Sequence, residues 1–351
     1  MARLDAFARR VFVGSLVVLV VFGLAWLVVR FGAVLLLAFG GVLVAVLLDG
    51  LAGWTARHTG LRRGLALAGV GAGLVAIGVG LVAVLGPRVT AEFGELGGTL
   101  TGGATQIREY LATQWWAEPI LGELTEAQAD GTRYAARMLG AFSTVLGGVL
   151  NVVVILFLGV YLAVDPVLYR RGVLHLVDKR HRARTSKLLT QAGAALRGWL
   201  KGQFIAMAIV GSLTTVGLMI LGVPLALALG VIAFAFSFVP YIGPIASFVP
   251  ALLVAFIQSP QLAFYTAILY LVVQFVESYL VTPLVQQRIV SLPPGVLIVF
   301  QVLLGAMAGI LGVALAVPVA VVTLVAVQML YVEDVLDDHT VEVLGEGELD
   351  G

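Results

Sequence analysis

Between Gly202 and Val332 the chain carries only two charged residues, Glu277 and Arg288. The whole sequence is 60% hydrophobic and 12% charged, with a mean hydropathy of +1.06. A soluble domain carries about 25% charged residues. This composition implies a polytopic membrane protein, and the fold class it implies is all-α. Within the apolar stretch, Pro224–Val239 and Pro244–Ile257 are runs of 16 and 14 residues on either side of Pro240 and Pro244. A crossing helix needs roughly 20 residues, so neither run spans alone. One helix running through both is disfavoured too, because each proline removes an N–H and clashes with the preceding turn. The sequence predicts a broken helix or re-entrant hairpin with its tip at Pro240-Tyr241-Ile242-Gly243-Pro244. Irregular backbone at membrane depth is tolerated only where it is buried or lines a wet cavity, and transporters place substrate and ion sites at such breaks. A kink that serves packing alone is the competing reading.

The rest of the chain divides by charge and by punctuation. Val11–Val29 is too long for a signal-peptide core and is read as a retained span ended by Arg30. Phe31–Leu48 is the second span, closed by Asp49. Gly64–Leu85 is the third, with glycines that permit close helix approach, and it stops at Pro87. Residues 1–87 thus hold three spans. Residues 88–137 differ in kind, with seven acids, four arginines and the Trp115-Trp116 pair. They form an extramembrane insert. The indoles fit either the headgroup level or a small core within the insert. Residues 138–164 form the fourth span, ended by Asp165-Pro166. Residues 165–201 form a basic loop with nine Lys and Arg. Residues 202–332 hold the C-terminal core, and residues 333–351 an acidic tail with a short helix expected at Tyr331–Leu336. The total is about eight hydrophobic segments, two of them broken. The second broken one runs from Pro293-Pro294 to Leu330 and is interrupted at Gly305, Gly309, Gly312 and Pro318. It echoes the first: Pro224 to Gly243 and Pro293 to Gly312 have the same spacing.

Lys and Arg accumulate in cytoplasmic loops. That rule places the N-terminus inside, Arg30 outside, Arg57–Arg63 inside, the acidic insert outside and the basic loop inside, with the C-terminus also inside. It accounts for the Lys179–Lys187 cluster as topology, so no nucleic-acid partner is inferred. The bilayer is the expected partner. There is no cysteine, hence no disulfide and no thiol nucleophile. No Walker loop is present, no Ser-His-Asp or Cys-His grouping is apparent, and the four histidines fall in loops or the tail without metal-ligand spacing. No enzyme activity, cofactor or metal site is expected.

Ionisable groups inside spans are costly and default to a functional hypothesis. Tyr270, Gln274, Glu277 and Val281 share one helical face, with Ser278 beside them. The functional reading makes this a polar lining, with Glu277 as a sodium or proton site. The structural reading pairs Glu277 with Arg288 or with backbone donors at the hairpin tip. Arg288 also fits a simple inside anchor. Gln203, Thr214, Thr215 and Gln301 extend such a lining or, as isolated polar residues in spans commonly do, tie helices together.

Phe238-Val-Pro-Tyr-Ile-Gly-Pro-Ile, then Gln274 and Glu277, then Thr-Pro283-Leu-Val-Gln-Gln-Arg288-Ile-Val-Ser-Leu-Pro-Pro294, then Gly309-Ile-Leu-Gly312 and Ala316-Val-Pro318, together resemble the autoinducer-2 exporter family of bacterial transporters. The chain departs from the family pattern at Gln287, where many members have Gly, and at Pro293-Pro294, where they have His-Pro. The resemblance implies a homo-oligomer in the bacterial cytoplasmic (inner) membrane that acts on a small molecule or ion. It carries transport and gating roles to Pro240, Tyr241, Gly243, Pro244, Glu277, Pro283 and Arg288. Three functions follow as expectations. The first is ion-driven export of a small organic molecule. The second is sodium/proton antiport. The third, of another class, is a scaffold or regulator that binds through the insert or the tail.

Overall fold

The computed structural model describes residues 2–76, 151–281 and 293–337, with positions 79, 80, 83, 87, 91 and 92. The insert from 93 onward, the first half of the fourth span, Pro283, Arg288 and the tail beyond 337 lie outside the described residues. Among the described residues all regular structure is helical. The helices are α1 (Ala2–Thr59), α2 (Arg63–Ala76), α3 (Asn151–Val164), α4 (Pro166–His175), α5 (Arg182–Leu221), α6 (Ala226–Phe236), α7 (Ile242–Gln258), α8 (Pro260–Val276) and α9 (Pro294–Val327). A π-helical turn, Glu277–Val281, continues α8, and another, Gln328–Glu333, continues α9. Four stretches are long and apolar enough to cross a membrane: Arg30–Thr59, Arg182–Leu221, Pro260–Val281 and Pro294–Glu333. The bent pair α3 and α4 makes a fifth if it is one span.

At the N-terminal end the helix does not break at Arg30: α1 runs unbroken for 58 residues, about 87 Å at 1.5 Å per residue, and the stretch of it fit to cross a membrane is Arg30–Thr59. No proline stands near Arg30, and one glycine in a helix costs only about 1 kcal/mol, too little to force a turn. In the glycine-rich third run, the described glycines of α2 have open space beside them. Among the described residues close approach occurs between α1 and α3, where side chains of Ile155 and Leu158 lie against Gly40 and Gly41, and Val44 lies against Gly159. At these positions a Cβ would overlap a neighbour, so small residues let the two backbones meet.

α5 is the strut of the structure. Its first half packs through Ala192, Ala195, Leu196, Trp199 and Leu200 against α1 and α9. Its end packs through Leu218 against α6, α7 and the start of α8. Gly217 receives Leu269 of α8, and the turn Glu277–Val281 also touches α5. Because α5 ends at Leu221, α8 must run antiparallel to it. Ion pairs gather around the N-terminal half of α5. Asp49 of α1 meets Arg63 at 2.6 Å and Arg197 at 3.7 Å. Arg184 meets Glu333 at 2.6 Å and Asp334 at 2.8 Å, and donates to the Met329 carbonyl at 2.5 Å. The residues expected to form a short helix at the start of the tail form the π turn and the turn after it, held there by Arg184.

Both broken segments fold back on themselves. In the first, α6 and α7 are arms joined through Ser237–Tyr241. A Cβ on Gly243 would collide with the carbonyl of Phe236, although seven residues of straight helix would separate them by about 10 Å. In the second, Ala308 and Gly309 leave helical geometry, Gly309 with φ 59° and ψ −137°. A Cβ on Gly312 would collide with the carbonyl of Leu304. The spacing echo in the sequence therefore corresponds to the same device used twice: a turn with one residue at positive φ, Tyr241 or Gly309, followed by a glycine seated on the opposing arm's backbone. Backbone cannot move aside as a side chain can. Gly243→Ala and Gly312→Ala should each cost about 1–3 kcal/mol through overpacking. The thermal midpoint of the purified protein should fall for both and stay unchanged for Gly295→Ala, where space is open. Equal midpoints for all three would contradict this packing.

Candidate functional site

The tip of the first hairpin forms because its residues cannot continue a helix. Pro240 and Pro244 lack an N–H. Tyr241 sits at φ 64° and ψ −47°, a conformation that costs a non-glycine residue about 1–3 kcal/mol and persists only where the surroundings impose it. Pro244 falls in the first turn of α7, where its missing donor is an orphan position in any case. The tip is partly stitched by its own backbone, with Val239 N donating to Phe236 O at 2.9 Å and Gly243 N to Val239 O at 2.9 Å.

Two carbonyls at the break are met by side chains. Gln203 of α5 donates from Nε2 to Ser237 O at 2.7 Å. Gln301, on the first arm of the second hairpin, donates from Nε2 to Pro240 O at 2.9 Å, an acceptor shared with Ile242 N at 2.8 Å. Both glutamines are 4% exposed. Trp199 meets Phe238 edge to face, with ring centroids 5.7 Å apart. The glutamines therefore tie helices together, one of the two roles open to them from sequence, and they join the two broken segments to each other and to α5. Thr215 bonds within its own helix to Gly211 O. The hydroxyls of Thr214 and Thr266 are fully buried and make no hydrogen bond among the described residues.

The polar stripe on α8 separates into two parts. Tyr270 is structural: its OH donates to Ser247 O of α7 at 3.1 Å, and its ring packs on Phe248 at 5.3 Å. Gln274 donates to Ser278 Oγ at 3.2 Å. Glu277 opens the π turn, a feature that often marks functional positions in helices. Its Oε2 is buried and has no hydrogen-bond partner among the described residues. The alternative in which Glu277 pairs with Arg288 falls outside the described residues, as does Pro283. Pro240, Tyr241, Gly243 and Pro244 come together at one tip, and Gln274 and Glu277 lie at the far end of α8. No described hydrogen bond or ion pair joins these two groups, although α5 touches both. No group of three or more His, Cys, Asp or Glu that could hold a metal ion occurs among the described residues.

Two contacts were not anticipated from sequence. Glu92, at the start of the insert, accepts from Ala228 N at 2.8 Å and so caps α6, whose own N-cap residue, Leu225, offers no side-chain acceptor. Nothing in the local sequence signals a cap supplied from so far away. The Arg184 clamp had a signal, since the basic loop and the acidic Glu333-Asp334 pair are complementary in charge.

Removing the glutamine donors tests how the tip is held. Gln203→Leu leaves Ser237 O without its side-chain partner and should cost about 1–3 kcal/mol. Gln301→Leu should cost less, because Ile242 N still reaches Pro240 O. Hydrogen–deuterium exchange over 236–247 should accelerate in that order, and unchanged protection in both variants would show that the glutamines do not hold the tip.

Comparison with known proteins fits this architecture. Residues 16–331 match the AI-2E family transporter profile. The chain is 31% identical over 198 residues to YrrI of Bacillus subtilis, covering 56% of each chain. It is 29% identical over 183 residues to YueF of the same organism, covering 51% of this chain and 50% of YueF. A Mycobacterium tuberculosis protein, MT0215, is 32% identical over 185 residues, covering 49% of this chain and 50% of its own. All three are named for transport, and the chain spans about half the length of these curated relatives. With the profile matched over most of its residues and several helices fit to cross a bilayer, the chain is a multi-pass membrane protein that belongs to the AI-2E transporter family.

Proposed function

We propose that the chain is a secondary exporter of a small organic molecule, driven by an ion gradient, in the cytoplasmic membrane. The observation that carries this reading is the Gln301–Pro240 hydrogen bond, which couples one helical hairpin to the other. Paired interrupted segments are the arrangement through which transporters bind at mid-membrane and alternate access. In this reading the Pro240–Pro244 tip is the gate and Glu277 the coupling group. The end of α1 with the Arg57–Arg63 cluster, α4 and the first half of α5 face the cytoplasm in this reading, together with Glu333 and Asp334.

Sodium/proton antiport is a second reading, and Glu277 Oε2, buried without a hydrogen-bond partner among the described residues, favours it. A carboxylate oxygen with no fixed partner can exchange a proton for a cation.

Two assays on wild type and Glu277→Gln separate these readings. In inverted vesicles with an imposed proton gradient, the exporter should accumulate at least one member of a panel of small polar metabolites. Glu277→Gln should abolish the accumulation while expression and assembly are kept, and collapsing the gradient should abolish it in wild type. Equal accumulation by both proteins would remove Glu277 from the mechanism. In liposomes with a trapped pH dye, proton movement that needs both added sodium and Glu277 would establish the antiporter instead.

A further inference from the structure

We propose that α4 is an interfacial helix that lies flat on the bilayer and binds anionic lipid headgroups, holding the end of α3 at a fixed depth. The axis turns by 88° between α3 and α4. The turn is built in: Asp165 caps α4 by accepting from Leu168 N at 3.0 Å, and Pro166 occupies its first turn. α3 is the described end of the span expected over residues 138–164, and a helix at right angles to such a span lies in the plane of the bilayer. Continuing α4 into the hydrocarbon would take Arg170, Arg171 and His175 with it within ten residues, which the cost of charge at depth forbids.

No residue of α4 is buried against the protein. Tyr169, Val173 and Leu176 follow i, i+4, i+7 spacing and so share a face, and they are 40%, 44% and 89% exposed. Exposed apolar side chains also line the end of α3, at Val160, Tyr161 and Val164, all at least half exposed, with the capping Asp165 between them and α4. Apolar side chains exposed on both arms of the bend are matched by a lipid surface.

The other side carries Arg170 and Arg171 beside the exposed Val167 and Leu168, and it is anchored. Arg170 reaches back to α5, donating to Ser186 O at 2.9 Å, Ser186 Oγ at 2.8 Å and Thr190 Oγ1 at 2.6 Å. Arg182 Nε holds the Val177 carbonyl at 3.1 Å. The helix therefore cannot swing away, while Arg171, Lys179 and Arg180 remain exposed beside the apolar face. An apolar face flanked by cations is the pattern that binds an anionic membrane surface.

The chain has no cysteine, so single nitroxide labels at Val173→Cys, Leu176→Cys and Lys179→Cys can be placed in the full-length protein. The host is nanodiscs of phosphatidylcholine with or without phosphatidylglycerol. Labels at 173 and 176 should be reached by oxygen in preference to a water-soluble nickel chelate, and the label at 179 should show the reverse. Leu176, the more exposed position, carries the test if the Val173 variant does not fold. The triple variant Arg171→Gln, Lys179→Gln, Arg180→Gln should lose its preference for co-purified phosphatidylglycerol by about fivefold per cation removed. Water-dominated access at 176, or shielding from both reagents with spin coupling between copies, would overturn the proposal. The second result would assign the face to another copy of this chain.

Discussion

Inside a membrane no water is available to satisfy a broken helix, so each freed backbone group must find a partner in the protein. That constraint shapes the C-terminal half. Pro240 and Pro244 force the chain to leave helical geometry, and the break exposes the carbonyls of Ser237 and Pro240. Gln203 and Gln301 reach them from two other elements. The side chains that satisfy the break are thus also the ones that fix the position of the hairpin. In this setting solving the hydrogen-bond problem and assembling the tertiary structure are one event.

α5 can serve as the common support because it is amphipathic along its length rather than around it. Its cationic first turns lie in the zone where Arg184 finds Glu333 and Asp334. Its apolar middle packs on α1 and α9, and its end on the first hairpin. Exposed pairs contribute about 0–1 kcal/mol each, so the ion pairs set register more than stability. The Arg184 cluster is the stronger case. Glu333 is only 12% exposed, and the Met329 carbonyl completes the guanidinium's set of acceptors. It ties the end of the second hairpin to the helix that holds the tip of the first.

Much of this was legible in the chain because membrane sequences state their breaks in residues of unambiguous mechanism. Pro240, Pro244, Gly243, Gly309 and Gly312 mark the turns, and the equal spacing of the two segments corresponds to an equivalent use of glycine against backbone. Glu277 stands out simply as a charge where charge is expensive. Other features leave less trace. A charge can end a span, but ending a helix requires a backbone reason, and none exists at Arg30. Small residues permit close approach, but tertiary structure decides which of them find a partner, and among the described residues those lie along α1 and α3. The Glu92 cap on α6 depends on tertiary proximity alone and leaves no local trace.

The polar groups of the core separate into two sets. Gln203, Gln301 and Tyr270 are saturated by carbonyls on neighbouring elements, so any motion that breaks those bonds exposes an unsatisfied group in a poorly solvated place. Such residues are suited to moving as parts of rigid bodies. Glu277 Oε2, Thr214 Oγ1 and Thr266 Oγ1 have no such commitment among the described residues, and buried polar atoms left unpaired in a native structure call for an explanation. The saturated groups fix the hairpins and helices to one another, whereas the unsaturated ones have no described contact to lose. The π turn at Glu277 widens the helix at one of the unsaturated positions, on the face of α8 that runs antiparallel to the strut. Glu277 Oε2 is held there with no hydrogen-bond partner among the described residues, so a change at that atom breaks no described contact of the fold.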